Sequence, residues 1–190
     1  MGALLFGKPL PGMAVAGALG GLVPDVPMFA IVAGLRLGGR SFEEIFGQLY
    51  WERWWQVCNA VSHSFLLWGA LAAGSGMVLS KRGRSAAPRA ALLFAFSGAA
   101  LAHSCVDFLV HREDAHMQFW PLSDWKFVSP VSYWDRAHFG DWFGLFEAAL
   151  GIVMAALLFR RYRSILTRMA LALCLALYAA VPAFFIWNLA

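Results

Sequence analysis

Long apolar runs separated by short polar breaks dominate the chain, and the runs are longer than a soluble core helix requires. A helix crossing the hydrocarbon core of a bilayer needs about 20 predominantly apolar residues. Five stretches qualify: one near Leu10 to Leu35, interrupted by Pro24 and Pro27, then Val57 to Leu79, Ala90 to Val110, Trp142 to Phe159 and Ile165 to Leu189. The pattern predicts an all-α integral membrane protein with about five transmembrane helices. No internal repeat or low-complexity tract interrupts it. Between the first two spans, Arg36 to Gln56 carries Ser41 as an N-cap with Glu44 as its capping-box partner. The aromatic run Tyr50, Trp51, Trp54 and Trp55 there fits an interfacial helix. Between the third and fourth spans lies a long loop, His111 to Asp141, rich in Trp, His and Asp.

Composition agrees with this solvent. Of 190 residues, 61% are hydrophobic and only 14% charged, against roughly a quarter charged in soluble domains. A chain of this length is expected to form one transmembrane domain, residues 1–190. The net charge of +4 speaks for topology and anionic-lipid contact and against nucleic-acid binding. Lys81, Arg82, Arg84 and Arg89 join the second and third spans, and Arg160, Arg161, Arg163 and Arg168 the fourth and fifth. Five spans put both loops on one side, and the positive-inside rule makes that side cytoplasmic. The N-terminus is then inside, and the C-terminus and the 111–141 loop are outside. Only Lys8 precedes the first apolar run, with no clean basic n-region, and no signal peptide is expected to have been removed. Cys58, Cys105 and Cys174 are an odd number without a CxxC pair, which excludes a disulfide framework or zinc ribbon. Cys58 and Cys105 read as small core residues.

Ionisable residues inside spans are expensive and usually functional. They are Asp25, His63, His103, Asp107 and Glu147. Under the proposed topology all five sit in the middle or outer half of the membrane. The third span carries the sharpest pattern. His103, Asp107, His111 and Asp114 follow at spacings of four, four and three, which on a continued helix confines them to an arc of about 80°. Imidazole and carboxylate are the ligands preferred by zinc, manganese and iron, and a cation compensates carboxylate charge at that depth. His116 follows as a further candidate ligand. Plainer alternatives stand beside each. His103 and Asp107 pair within a helix, Asp25 caps a half-helix, and His63 packs as an ordinary histidine. His111, Asp114 and His116 lie in a solvated loop, Glu147 bonds between helices, and the Trp residues anchor at the interface.

At these residues the chain resembles the membrane-bound metal-dependent hydrolases of bacterial inner membranes. Gly20-Gly21-Leu22-Val23-Pro24-Asp25-Val26-Pro27 is similar to that family's Pro-Asp-x-Asp motif after a Gly-rich helix. Cys58-Asn59-Ala60-Val61-Ser62-His63-Ser64 is similar in part to its His-Arg-Gly-x-Thr-His-Ser motif. His103 and Asp107 match His-x-x-x-Asp, and Phe119-Trp120-Pro121-Leu122-Ser123-Asp124 matches a downstream Trp-Pro segment. The likeness runs up to about Glu147. Pro27 stands where the second Asp is usual and Cys58 where the first His is usual, so two of the family's ligands are missing. His111, Asp114 and His116 are available to replace them.

The resemblance and the residues together imply a metal-dependent hydrolase at the outer face, acting on a lipid or lipid-linked ester or phosphoester. The expected metal ligands are Asp25, His63, His103, Asp107, His111 and His116, with zinc ahead of manganese and iron. The metal would lower the pKa of a bound water, and Asp114 or Glu147 would act as general base. The 111–141 loop would cover the site. Two readings compete: a b-type haem protein with His63 and His103 as axial ligands, and a metal transporter or sensor. Haem has no use for Asp25 and Asp107. Transport needs polar residues continuing to the cytoplasmic side, and the inner halves of the second and third spans have none.

Overall fold

The computed structural model describes residues 12–83 and 85–189. Arg84 and the expected start of the first span at Leu10 lie outside the described residues. The chain divides into two compact units, Met1–Ser129 and Pro130–Ala190. Among the described residues all regular structure is helical.

The first unit contains α1 (Met13–Leu22), α2 (Val26–Leu37), α3 (Phe42–Gly47), α4 (Arg53–Ser62), α5 (Phe65–Arg82) and α6 (Pro88–Val110). Its spans are broken rather than straight. α1 and α2 meet at a 55° bend. Pro24 removes a backbone donor at the break, and Pro27 sits in the first turn of α2, where a missing N–H costs nothing. The second expected span starts earlier than the pattern implied, at Arg53, and is interrupted at His63–Ser64. Ser64 caps α5 by accepting from the Leu67 N–H at 3.2 Å, while the Trp68 indole donates to Ser62 O at 2.7 Å and closes the end of α4.

Trp55 therefore belongs to α4 and is fully buried, with Ile45 and Tyr50, against Met28, Ile31, Val32 and Leu35 of α2. Half of the aromatic run expected at the interface is core, while Trp51 and Trp54 remain about half exposed. Ser41 accepts from the Glu44 N–H at 3.0 Å, as expected of an N-cap. The reciprocal half of the capping box is replaced, because the Glu44 carboxylate pairs with Arg40.

α6 is the spine of this unit, with α1 and α5 packed along it. The approach of α1 is close: a Cβ on Gly20 would lie 2.0 Å from Phe96 O. Small residues at a membrane helix crossing permit such contact. α6 ends at Val110, and His111 turns extended at φ −101° and ψ 125°. Ser129 of the loop ties down this end, its Oγ donating to Leu109 O at 2.5 Å and its N–H to His111 O at 3.2 Å. The helical edge expected to continue to Asp114 therefore stops at His111.

The second unit holds α7 (Gly140–Arg161) packed against α8 (Ile165–Leu189). Leu145, Phe146, Val153 and Leu157 are more than half exposed along α7, an apolar surface that suits lipid rather than water. In all, Arg53–Arg82, Pro88–Val110 and Gly140–Arg161 are long and apolar enough to cross a membrane, and the bent pair α1–α2 makes a fourth if it counts as one span. The fifth expected span is present as a helix whose described apolar stretch is Ile165–Ala176. Cys58 is half-buried, but Cys105 and Cys174 are exposed, so Cys105 is not the core residue expected of it.

Candidate metal centre

Each break in the helices delivers one ligand. Asp25 occupies the N-cap position of α2, yet its side chain caps nothing. His63 terminates α4, and His103 and Asp107 project from successive turns of α6. These four side chains form one cluster whose donor atoms all lie within 4.8 Å of one another, a group that could hold a metal ion.

The hydrogen bonds fix which nitrogens face inward. His63 Nδ1 lies 3.0 Å from Asn59 O, and His103 Nδ1 lies 2.8 Å from Gly21 O. A carbonyl only accepts, so each Nδ1 carries a proton and each ring turns its Nε2 the other way. Both Nε2 atoms point at the same place, 3.0 Å from Asp107 Oδ2 and 3.7 and 3.6 Å from Asp25 Oδ1. Both are buried and make no hydrogen bond.

Nε2 atoms this close to anionic oxygens are held there by a proton or by a cation between them. Ligands about 2.1 Å from a zinc-sized ion at tetrahedral angles are roughly 3.4 Å apart, and the observed separations of 3.0 to 3.7 Å bracket that edge. The residues thus fit a divalent metal, with backbone carbonyls as the outer hydrogen-bond shell typical of metal-bound imidazole. Of the four side chains Asp25 is the most exposed, at 37%, against 3% for His63.

The 111–141 loop was expected as a cover. Its start is instead a plug: Ala115, His116, Met117 and Gln118 are all buried. The break in the second span anchors it. The Phe65 N–H, freed of a helical partner, donates to Gln118 O at 2.9 Å, and Ser64 Oγ donates to Trp120 O at 3.0 Å. His116 consequently stacks on His63, ring centroids 4.3 Å apart. Burial pushes the His116 pKa down to about 3, so the ring is neutral.

His111 Nδ1 lies 2.8 Å from Asp114 Oδ2. Burial works against the charge on Asp114, but the interactions around it, led by the contact with His111, together hold the carboxyl below its usual pKa. Asp114 is thus engaged with a histidine. Glu147, the other expected general base, lies in the second unit, where it accepts a hydrogen bond from the Tyr133 hydroxyl.

Two contributors escaped the sequence reading, Asn59 and Gly21, because they act through main-chain carbonyls. The position of Asn59 four residues before His63 was the available signal, since that is the reach of a ring to its own helix. No family model, curated protein or solved structure matches the chain.

Proposed function

We propose that this chain is a membrane-embedded, metal-dependent hydrolase, with Asp25, His63, His103 and Asp107 holding a divalent metal, zinc before manganese or iron. One observation carries the reading: two imidazoles anchored through Nδ1 to backbone carbonyls turn both Nε2 atoms onto one buried carboxylate oxygen. When bound, the metal supplies Lewis acidity and activates water near neutral pH. The protein's part is to fix the ligands, exclude solvent with the 115–118 plug, and leave access beside the more exposed Asp25.

Orientation follows from the basic connector at 81–89, which the positive-inside rule makes cytoplasmic. His103 lies fifteen residues beyond Pro88 on α6, a rise of about 22 Å in a core about 30 Å thick. The centre is then in the outer half of the membrane, open to substrates arriving laterally in the leaflet. A lipid or lipid-linked ester or phosphoester suits that depth. The motif resemblance supports a bacterial inner membrane, with the site facing the periplasm, and covers four of the proposed ligands.

The geometry disfavours the haem alternative. A haem plane between His63 and His103 would need the space that the Asp107 carboxylate occupies, 3.0 Å from both rings.

The test is hydrolysis of a panel of carboxyl- and phosphoester lipids by the full-length protein in nanodiscs. Chelation is expected to abolish turnover of one class, zinc to restore it, and His103→Ala to lower it by more than roughly 100-fold. Turnover that survives complete metal removal, or a Soret band in the purified protein, would reject the reading.

A further inference from the structure

The four-residue group uses only one oxygen of Asp107. The other, Oδ1, faces His111 Nε2 at 3.7 Å. That is beyond hydrogen-bond range and close to the edge length of a metal coordination shell, about 3.4 Å. The Asp114 carboxylate lies 2.8 Å from His111 Nδ1, so His111 stands between two carboxylates, with Nδ1 toward Asp114 and Nε2 toward Asp107. This is the carboxylate–histidine arrangement that orients metal-binding imidazole. The approach of an imidazole nitrogen to a carboxylate oxygen seen at Oδ2 is therefore repeated at Oδ1.

His116 supplies the independent observation. It is 93% buried, at 7% exposure, and its Nδ1 has no hydrogen-bond partner. Its ring stands between His63 and His111, with centroid separations of 4.3 and 5.0 Å. An interior imidazole nitrogen without a partner costs on the order of 1–3 kcal/mol unless something binds it. Asp107, His111 and His116 each offer a donor atom within 4.8 Å of the others.

We propose that Asp107 is a bridging carboxylate, and that His111 and His116 hold a second divalent cation beside the first. This rests on the metal-centre reading above and deepens it. The second site has three protein ligands and open positions, the pattern of sites that also take water or substrate. Two cations sharing one carboxylate suit a ligand whose oxygens engage both, as a phosphoryl group's do. The substrate class narrows accordingly from esters in general to phosphoesters. The broken span acquires a purpose too, since the Phe65 N–H and Ser64 Oγ hold the plug that carries His116.

The experiment is metal stoichiometry on the full-length protein in nanodiscs, stripped with chelator and reloaded with zinc, alongside electron paramagnetic resonance of the manganese-loaded form. The wild-type chain is expected to hold about two zinc ions and to give a spin-coupled manganese signal. His116→Gln and His111→Gln are each expected to halve the zinc content and to leave an uncoupled manganese signal. A wild-type chain saturating at one ion with an uncoupled signal would overturn the second site and leave the first standing. A wild-type chain holding no metal would overturn both. Retention of two ions and spin coupling in His116→Gln would remove that residue from the ligand set and defeat the proposal as stated. The wild-type stoichiometry does not depend on how well any variant folds.

Discussion

His63 and His103 each commit one ring nitrogen to a backbone carbonyl and point the other at Asp107. That division of labour is the one a metal-bound imidazole would need. The sequence alone singled out Asp25, His63, His103 and Asp107, which the structure brings together, because an ionisable side chain in an apolar run is expensive to keep. It could not separate ligand from helix-packing pair, because tautomers are set by carbonyls that leave no trace in residue type. His116 was ambiguous for a related reason: a loop histidine reads as solvated until the chain is seen to fold inward. Asp114 was expected as a general base, and its contact with His111 argues for a positioning role. Asp114→Ala is accordingly expected to weaken metal binding by roughly 10–100-fold, measured by competition against a chromophoric chelator. Unchanged affinity with lost turnover would return Asp114 to the role of base.

At the scale of elements, the breaks matter more than the spans. Apolar length made the helices legible, and Pro24 and Pro27 marked the first bend. The break at His63–Ser64 had no such signal. Neither glycine nor proline stands there, and the interruption holds because Trp68, Gln118 and Trp120 satisfy the freed backbone and hydroxyl groups from a distance. The start of α4 was misplaced because Trp54 and Trp55 look interfacial by type, while one of them lies in the core beneath α2. The crossing of α1 over α6 gives a sharp test. Gly20→Ala would drive a Cβ to 2.0 Å from Phe96 O, whereas a Cβ on the adjacent Gly21 meets nothing within 4 Å. Gly20→Ala is expected to destabilise by about 1–3 kcal/mol. It should also weaken metal binding, since Gly21 O would leave His103 Nδ1. Gly21→Ala should alter neither property. Thermal melts in detergent and a metal titration of both variants check this, and equal behaviour of the two would contradict the packing described.

For the whole molecule, composition and the length of the apolar runs pointed to the membrane as solvent, and the apolar outer surface of the helices agrees. What the sequence could not give was the convergence of α1–α2, α4 and α6 on one point, since the contacts that create it join residues about forty to eighty positions apart. Topology carries one prediction. The connector around Arg82 and Arg89 should be cytoplasmic and the loop at Trp125 external, so a cysteine introduced at position 125 should react with an impermeant thiol reagent added outside intact cells. Labelling there only after lysis would reverse the orientation. The most direct test of the central claim is elemental analysis of the purified, detergent-solubilised protein beside the double variant His103→Ala with Asp107→Ala. The wild-type chain is predicted to retain a stoichiometric divalent metal through purification and to lose it to chelator, and the double variant to retain none. Full metal occupancy in the double variant, or a wild-type chain that never holds metal, would contradict the account.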